Sequence, residues 1–325
     1  MNEIVSESGT YIINEDDSRK TGKFSSIKIG RRSSDNTKVI IKQLKDSECV
    51  GDEKTQKIIH SILTNLHTLN PLISQTFDVL KNEGGAFVIR EYIDGVDLKT
   101  LVYDKRYAYF RTPDFTAKVG VSVCEMLSAI HSNGLVHRDI KPANIMVEFK
   151  KGTTEPDYYN PVVRLIDFEL AQIHGINIFT MGKVPVAMVY SAPEQLLRCQ
   201  HLIDPTSDLF SLAVTLYEFL SGKLAFNHNN PELLMNLQLN HPLIKHVKIP
   251  HQLFAILHKA TQKQPFQLPP NRYSYDEREL ILMKGKEQRF GSAVELKMAL
   301  EGFLMKYDAI PPAKNVFGKV RAFFR

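Results

Sequence analysis

Eight consecutive residues, His137-Arg138-Asp139-Ile140-Lys141-Pro142-Ala143-Asn144, put a proton acceptor, a cation and a metal-binding amide into one short loop. The Asp139 carboxylate is suited to accept the proton of an attacking hydroxyl. Lys141 can neutralise charge on a moving phosphoryl group, and the Asn144 carbonyl oxygen can hold a magnesium ion. The chemistry these types serve is phosphoryl transfer. Two further segments supply what the loop lacks. Lys42 ends a Val-Ile-Ile-Lys strand, from which a lysine can reach the α and β phosphates of a nucleotide. Asp167-Phe168 follows the apolar run Val162 to Ile166 and can offer a carboxylate to the metal that Asn144 holds; two hard oxygen ligands and phosphates suit Mg2+. A lysine ending a strand is by itself an ordinary surface residue, and an aspartate after a strand an ordinary turn cap. It is the order, lysine, then Asp139 and Asn144, then Asp167, that phosphoryl transfer requires.

Those residues must be carried by a definite set of elements. From Tyr11 to Gln43, short apolar runs alternate with polar turns, including Ser26 to Ile29 and Lys38 to Lys42 across Ser33-Ser34-Asp35-Asn36, which predicts an antiparallel meander. Ile58, Ile59, Ile62, Leu66 and Leu69 recur at helical spacing between Lys54 and Asn70, and Asn70-Pro71 ends the run. Two more strands are predicted around Ile73 to Leu80 and Ala86 to Ile93. After Gly95 helices dominate: one opens at Thr112-Pro113 and closes at Asn133-Gly134, and another, 207–220, is apolar nearly all round and must be buried. The division predicted is a sheet-rich lobe over 1–94, a larger helical lobe over 95–307 and a tail over 308–325. A cleft between two lobes is where ligand sites tend to form.

With 325 residues, 43% hydrophobic and 24% charged, the chain can bury a sizeable core. No run of about 18 apolar residues exists to span a bilayer, and the first ten residues lack the order of a signal peptide, so a cytoplasmic location is expected. Cys49, Cys124 and Cys199 are odd in number and far apart, which predicts free thiols. The net charge of +5 is modest and no basic run is interleaved with aromatics along the body, so nucleic acid is not an expected partner.

Farther on, Ser191-Ala192-Pro193-Glu194 matches an Ala-Pro-Glu element, Asp208 lies at the start of the buried helix, and Arg289 sits in Glu287-Gln288-Arg289-Phe290-Gly291. With these, the chain resembles the eukaryotic-like (Hanks-type) serine/threonine protein kinases over roughly residues 10–307, bacterial members most closely. The resemblance implies an α+β, protein-kinase-like bilobal fold with a small antiparallel sheet lobe and a larger helical lobe. It implies ATP and Mg2+ as cofactors, a protein Ser/Thr hydroxyl as acceptor, and catalysis by Asp139 and Lys141. Lys42, Gly22, Ile27, Glu91, Asn144 and Asp167 would bind the cofactor, with Asn144 and Asp167 on the metal. The counterpart of Glu194 pairs in that family with that of Arg289, and Arg138 would meet a phosphorylated activation loop, for which Thr180 is the best placed of Thr180, Tyr190 and Ser191.

Several positions depart from the family. Lys20 and Ser25 replace two glycines of the glycine-rich loop, leaving Gly22, and side chains there limit how closely backbone approaches phosphate. Counting back from Asn70-Pro71 puts His60 or Ser61 where a helix glutamate should pair with Lys42. Glu169 replaces the glycine after Asp167-Phe168, Ala187 a threonine, and Arg90 the apolar residue before the hinge Glu91-Tyr92. These changes support an alternative, a pseudokinase that binds nucleotide or acts as a scaffold. Two insertions, between Asn144 and Asp167 (167 − 144 = 23 positions) and from Gln264 to Lys284, are expected as surface loops. In the tail, Val316, Phe317, Val320, Phe323 and Phe324 with Lys314, Lys319, Arg321 and Arg325 fit a basic amphipathic helix. It would pack on the core or dock through 314–325 to an anionic membrane surface or a partner.

Overall fold

The computed structural model describes residues 3–6, 8–21, 25–44, 53–82, 85–173, 176–177 and 188–308. Gly22, Cys49, Thr180, Ala187 and the tail from 309 lie outside the described residues. The chain forms two compact units. The first takes Met1–Leu98, Ala129–Asp157 and Val162–Ala187, so its first segment ends close to the predicted cut at Asp94-Gly95 and two later segments join it. The second takes Lys99–Ser128, Tyr158–Pro161 and Met188–Arg325.

In the first unit, β1 (Glu3–Ser6), β2 (Gly9–Thr21), β3 (Ser25–Arg32), β4 (Lys38–Leu44), β5 (Thr76–Asn82) and β6 (Gly85–Glu91) form, among the described residues, a six-stranded antiparallel sheet in the order β1-β2-β3-β4-β6-β5. The alternation read in the sequence is the cause. Val39 and Ile41 of β4 point to one face with Tyr11, Ile13, Phe87 and Ile89, all buried, and the residues between them point to the other. Lys42 is therefore on the face opposite this cluster, and its register partner on β3 is Ile27. The helix α1 (Glu53–Leu69) buries Ile59, Leu63 and Leu66, whose spacing of four and three residues keeps them on one stripe. Ile58, expected on that stripe, is exposed.

Shorter strands complete this unit: β7 (Gly95–Asp97), β8 (Leu135–Val136), β9 (Ile145–Glu148), β10 (Val163–Leu165), β11 (Gln172–Ile173) and β12 (Ile176–Asn177). They form two three-stranded ladders, β10-β9-β7 and β12-β11-β8. Gly95 is required where β7 meets β9, because a Cβ there would sit 2.4 Å from the Val147 carbonyl oxygen.

The second unit is helical, with α2 (Leu98–Tyr103), α3 (Pro113–His131), α4 (Pro193–Leu196), α5 (Pro205–Ser221), α6 (Pro231–Asn240), α7 (His251–Ala260), α8 (Tyr275–Lys286) and α9 (Ala293–Asp308). Helix α5 is buried from Ser207 through Ser221, as its apolar circumference predicts. Its start is fixed two residues earlier than the predicted 207: the Asp204 carboxylate accepts from the Thr206 N–H at 2.9 Å and Pro205 occupies the first turn. No helix among the described residues is long and apolar enough to cross a membrane. Cys124 and Cys199 are free and buried.

Neither insertion is the plain surface loop expected. Tyr158 of the first packs 5.8 Å from Phe115 and 6.0 Å from Phe110 between ring centroids, and its hydroxyl lies 2.9 Å from Thr112 Oγ1. The second contains α8, opened by a reciprocal cap between Ser274 and Glu277, and its Phe266 and Leu282 bury Cys199 and Leu239. Apolar residues at those places had partners that spacing alone does not reveal.

Beside that second segment, the Lys263 ammonium donates to Gln238 O at 2.8 Å and sits 4.0 Å above the Phe226 ring. Burial, and then the nearby Arg289 charge, pushes its pKa down to about 7. In the unfolded chain it stays protonated up to about 10.5, so between pH 7 and 10.5 the unfolded state binds more protons. Stability therefore rises with pH across this window and falls toward pH 7. Comparing urea unfolding of the wild type with Lys263→Met should show the wild type gaining up to about 1.4 kcal/mol per pH unit relative to the variant.

Candidate active site

Strand β4 presents Lys42 from the sheet, and its Nζ donates to Asp167 Oδ1 at 3.0 Å and Oδ2 at 2.8 Å. Asp167 directly follows β10 and Ile166, and β10 is pinned from two sides. It pairs with β9, which begins right after Asn144, and it meets the segment before β5, where Ser74 N–H donates to Leu165 O at 2.9 Å. The Ile166 N–H donates to Asn144 O at 3.0 Å, joining the end of the catalytic-type loop to the start of the Asp167 segment. All of these residues belong to the first unit.

Within the loop, Lys141 Nζ lies 2.5 Å from Asp139 Oδ2, and the Asn144 amide donates at 2.8 Å to both Asp139 Oδ2 and Asp139 O. The Asp139 N–H donates to His137 Nδ1 at 3.2 Å, which puts the ring proton on Nε2, 3.3 Å from Ile166 O. His137 is fully buried, and its ring lies tilted against Phe168 with centroids 4.5 Å apart. It is thus a brace between two site segments, a role the sequence did not assign to it. Arg138 and Asp167 both adopt left-handed backbone, φ 67° and 70°. Such conformations are costly for residues other than glycine and gather at functional sites, where the surroundings enforce them.

The electrostatics follow from burial in a small volume. Burial alone would raise Asp167, but the charges of Lys42 and Arg90 outweigh it and hold the carboxyl well below its usual range. Burial raises Asp139, against the pull of Lys141, and the Asp167 charge raises it further. Lys42 is held above its ordinary value because Asp167 and Glu169 together outweigh the burial that opposes its charge.

Among the described residues no three His, Cys, Asp or Glu side chains gather to hold a metal unaided. The donor set here is the Asp167 carboxylate and the Asn144 carbonyl oxygen, since both Asn144 amide bonds are spent on Asp139. That fits a hard cation completed by phosphate oxygens.

The other expected site residues divide. Ile27 neighbours Lys42 through the β3–β4 register. The Glu91 carboxylate faces away from ligand chemistry: it accepts from Gln75 N–H at 2.8 Å and from Arg164, whose other nitrogen reaches Glu148 at 2.8 Å. Tyr190 is no free hydroxyl, since it donates to the buried Glu218 at 2.7 Å.

The helix position expected to face Lys42 does not do so. His60 pairs instead with the buried Asp78 at 3.2 Å, and Ser61 is exposed. The α1 side chain that lines the small cavity beside Lys42 is Leu63. Among the described residues, the carboxylate that meets Lys42 in addition to Asp167 is Glu169, at 2.7 Å, which sequence reasoning noted only as a lost glycine.

Comparison with known proteins agrees with this geometry. The family model for the protein kinase domain matches residues 20–287. A probable serine/threonine-protein kinase of Clostridium perfringens is 26% identical over 276 residues, 83% of this chain and 36% of that protein. PknB of Mycobacterium tuberculosis is 29% identical over 221 residues, 64% of this chain and 32% of PknB. The chain thus spans about a third of the length of these curated relatives. The solved kinase domain of M. tuberculosis PknI superposes with a TM-score of 0.59 at 17% identity, covering 93% of this chain and 98% of that one, a likeness of fold. An α+β architecture, a lysine from the sheet on an aspartate after β10, and a match over most of the sequence have one reading: the chain belongs to the protein kinase domain family.

Proposed function

We propose that this chain is an active serine/threonine protein kinase that transfers the γ-phosphoryl group of ATP to protein hydroxyls, with lobes over 1–94 and 95–307. The observation that carries the reading is that Lys42, Asp139, Asn144 and Asp167, spread over 125 positions, share one unit through the direct bonds Lys42–Asp167, Asn144–Asp139 and Ile166–Asn144. Asp139 orients the acceptor hydroxyl and takes its proton. Lys141, already on Asp139, offsets charge on the group in flight, and Lys42 holds phosphate oxygens. Asn144 and Asp167 would hold Mg2+, which supplies charge neutralisation on the phosphates when bound. Nucleotide contacts are expected also at Gly22, Ile27 and the Glu91 backbone.

The second reading is a pseudokinase, favoured by one observation: both Asp167 oxygens are committed to Lys42 while Glu169 crowds the same ammonium. Purified protein with Mg2+ and radiolabelled ATP separates the two. An active enzyme labels itself or a generic basic protein on Ser or Thr, whereas a pseudokinase shows at most a thermal shift with nucleotide. A protein substrate, a cytoplasmic location and membrane or partner docking by 314–325 belong to the same proposal; the tail lies outside the described residues.

A further inference from the structure

Four charged side chains line one small cavity in the first unit, together with Leu63, Ser74, Thr76, Val88 and Phe168: Lys42, Arg90, Asp167 and Glu169. In a protein-kinase site the sheet lysine needs a second carboxylate besides the metal-binding aspartate, to keep its ammonium extended toward phosphate. Among the described side chains of α1, residues 57–69, none is a carboxylate: Leu63 lines the cavity and His60 is held by Asp78. Glu169 reaches the same ammonium at 2.7 Å, two residues beyond Asp167, with 6% of its surface exposed. An extra buried carboxylate beside Asp167 would be repelled by it. Arg90 lines the same cavity, so two basic and two acidic side chains share it.

We propose that Glu169 is the positioning residue for Lys42, in place of the helix glutamate, and that Arg90 is its balancing charge. Both odd residues then have one explanation: the glycine is lost where the carboxylate is needed, and the apolar residue before the hinge is lost where a counter-charge is needed.

This inference rests on the nucleotide-binding reading of the site, and the test separates the two. ATP affinity is measured by calorimetry, with and without Mg2+, for wild type, Glu169→Gln, Glu169→Asp, Lys42→Met and the double variant Lys42→Met/Glu169→Gln, with thermal midpoints recorded. Glu169→Gln should weaken ATP binding about tenfold, the worth of a charge-assisted bond, and Glu169→Asp should recover part of it. In the Lys42→Met background, Glu169→Gln should cost nothing further, which a merely structural glutamate would not satisfy. Arg90→Met should weaken binding in the wild type and much less beside Glu169→Gln. Should Glu169→Gln fail to fold, Glu169→Asp alone carries the comparison with wild type and with Lys42→Met. Wild-type binding that persists unchanged in Glu169→Gln or Glu169→Asp overturns the Glu169 role alone; a wild type that binds no ATP overturns the nucleotide reading and this inference with it.

Discussion

Asp139→Asn lowers the rate of phosphoryl transfer by about 10²–10⁴-fold and leaves ATP affinity nearly unchanged. The carboxylate is 8% exposed and does not touch Lys42, the residue assigned to hold the ATP phosphates; its bonds run to Lys141 and Asn144. Asparagine keeps the volume and keeps an oxygen for Lys141, and the Asn144 amide retains the Asp139 backbone oxygen at 2.8 Å. What disappears is the acceptor for the hydroxyl proton. Burial holds the Asp139 carboxyl above its ordinary range, with the Lys141 charge opposing the shift. Such a group is a better base than a solvated aspartate, and the loss on replacing it is correspondingly large. Single-turnover transfer measured on both proteins at saturating Mg2+ and ATP checks this; equal rates would remove Asp139 from the chemistry.

Most of the positioning framework was legible because it depends on local pattern. The alternation around Lys38 to Lys42 forces Lys42 away from the Val39 and Ile41 face, and the all-round apolar character of 207–220 leaves α5 nowhere but the interior. The motif order located Lys42, Asp139, Asn144 and Asp167, and direct bonds join them in two pairs, Lys42 with Asp167 and Asn144 with Asp139. Illegible were the contacts made at long range by a residue whose local pattern means something else. Glu169 reads in sequence as a missing glycine; only the φ of 70° at Asp167 and the path after β10 turn its side chain onto a lysine 127 positions away. His60 has the spacing of a cavity-facing residue, but α1 is rotated so that Ile59, Leu63 and Leu66 are buried and His60 reaches Asp78 on β5.

The insertions show the same limit in apolar form. Tyr158, Phe266 and Leu282 each lie in a stretch whose polarity and proline content read as loop, and each covers a buried neighbour. A segment's mean polarity describes its solvent side; a single anchoring ring is invisible to it.

Removing either partner of the Glu194–Arg289 pair costs about 3–5 kcal/mol of stability, the largest loss expected from any one substitution in the second unit. The pair is bidentate, 2.8 Å and 3.1 Å, with both side chains at or below 1% exposure. Ser207 Oγ donates to Glu194 at 2.6 Å, Arg289 Nε donates to Gln262 O at 2.9 Å, and the guanidinium lies 5.0 Å above Phe210. Burial would raise Glu194, but Arg289 outweighs it and keeps the carboxyl below its ordinary value, so both groups are charged in the folded state. Arg289→Met leaves that carboxylate buried without its counter-charge, with the Ser207 hydroxyl and a backbone hydrogen bond still on it. Glu194→Gln leaves Arg289 beside Lys263, a second buried cation whose own charge is already disfavoured. The double variant Glu194→Gln/Arg289→Met should therefore lose less than the sum of the single losses, since it removes both stranded charges at once. Urea unfolding of the four proteins at pH 7 reads the coupling directly. Additive losses would mean that the two charges do not depend on each other, and that α4 and the segment carrying Arg289 are held together by packing alone.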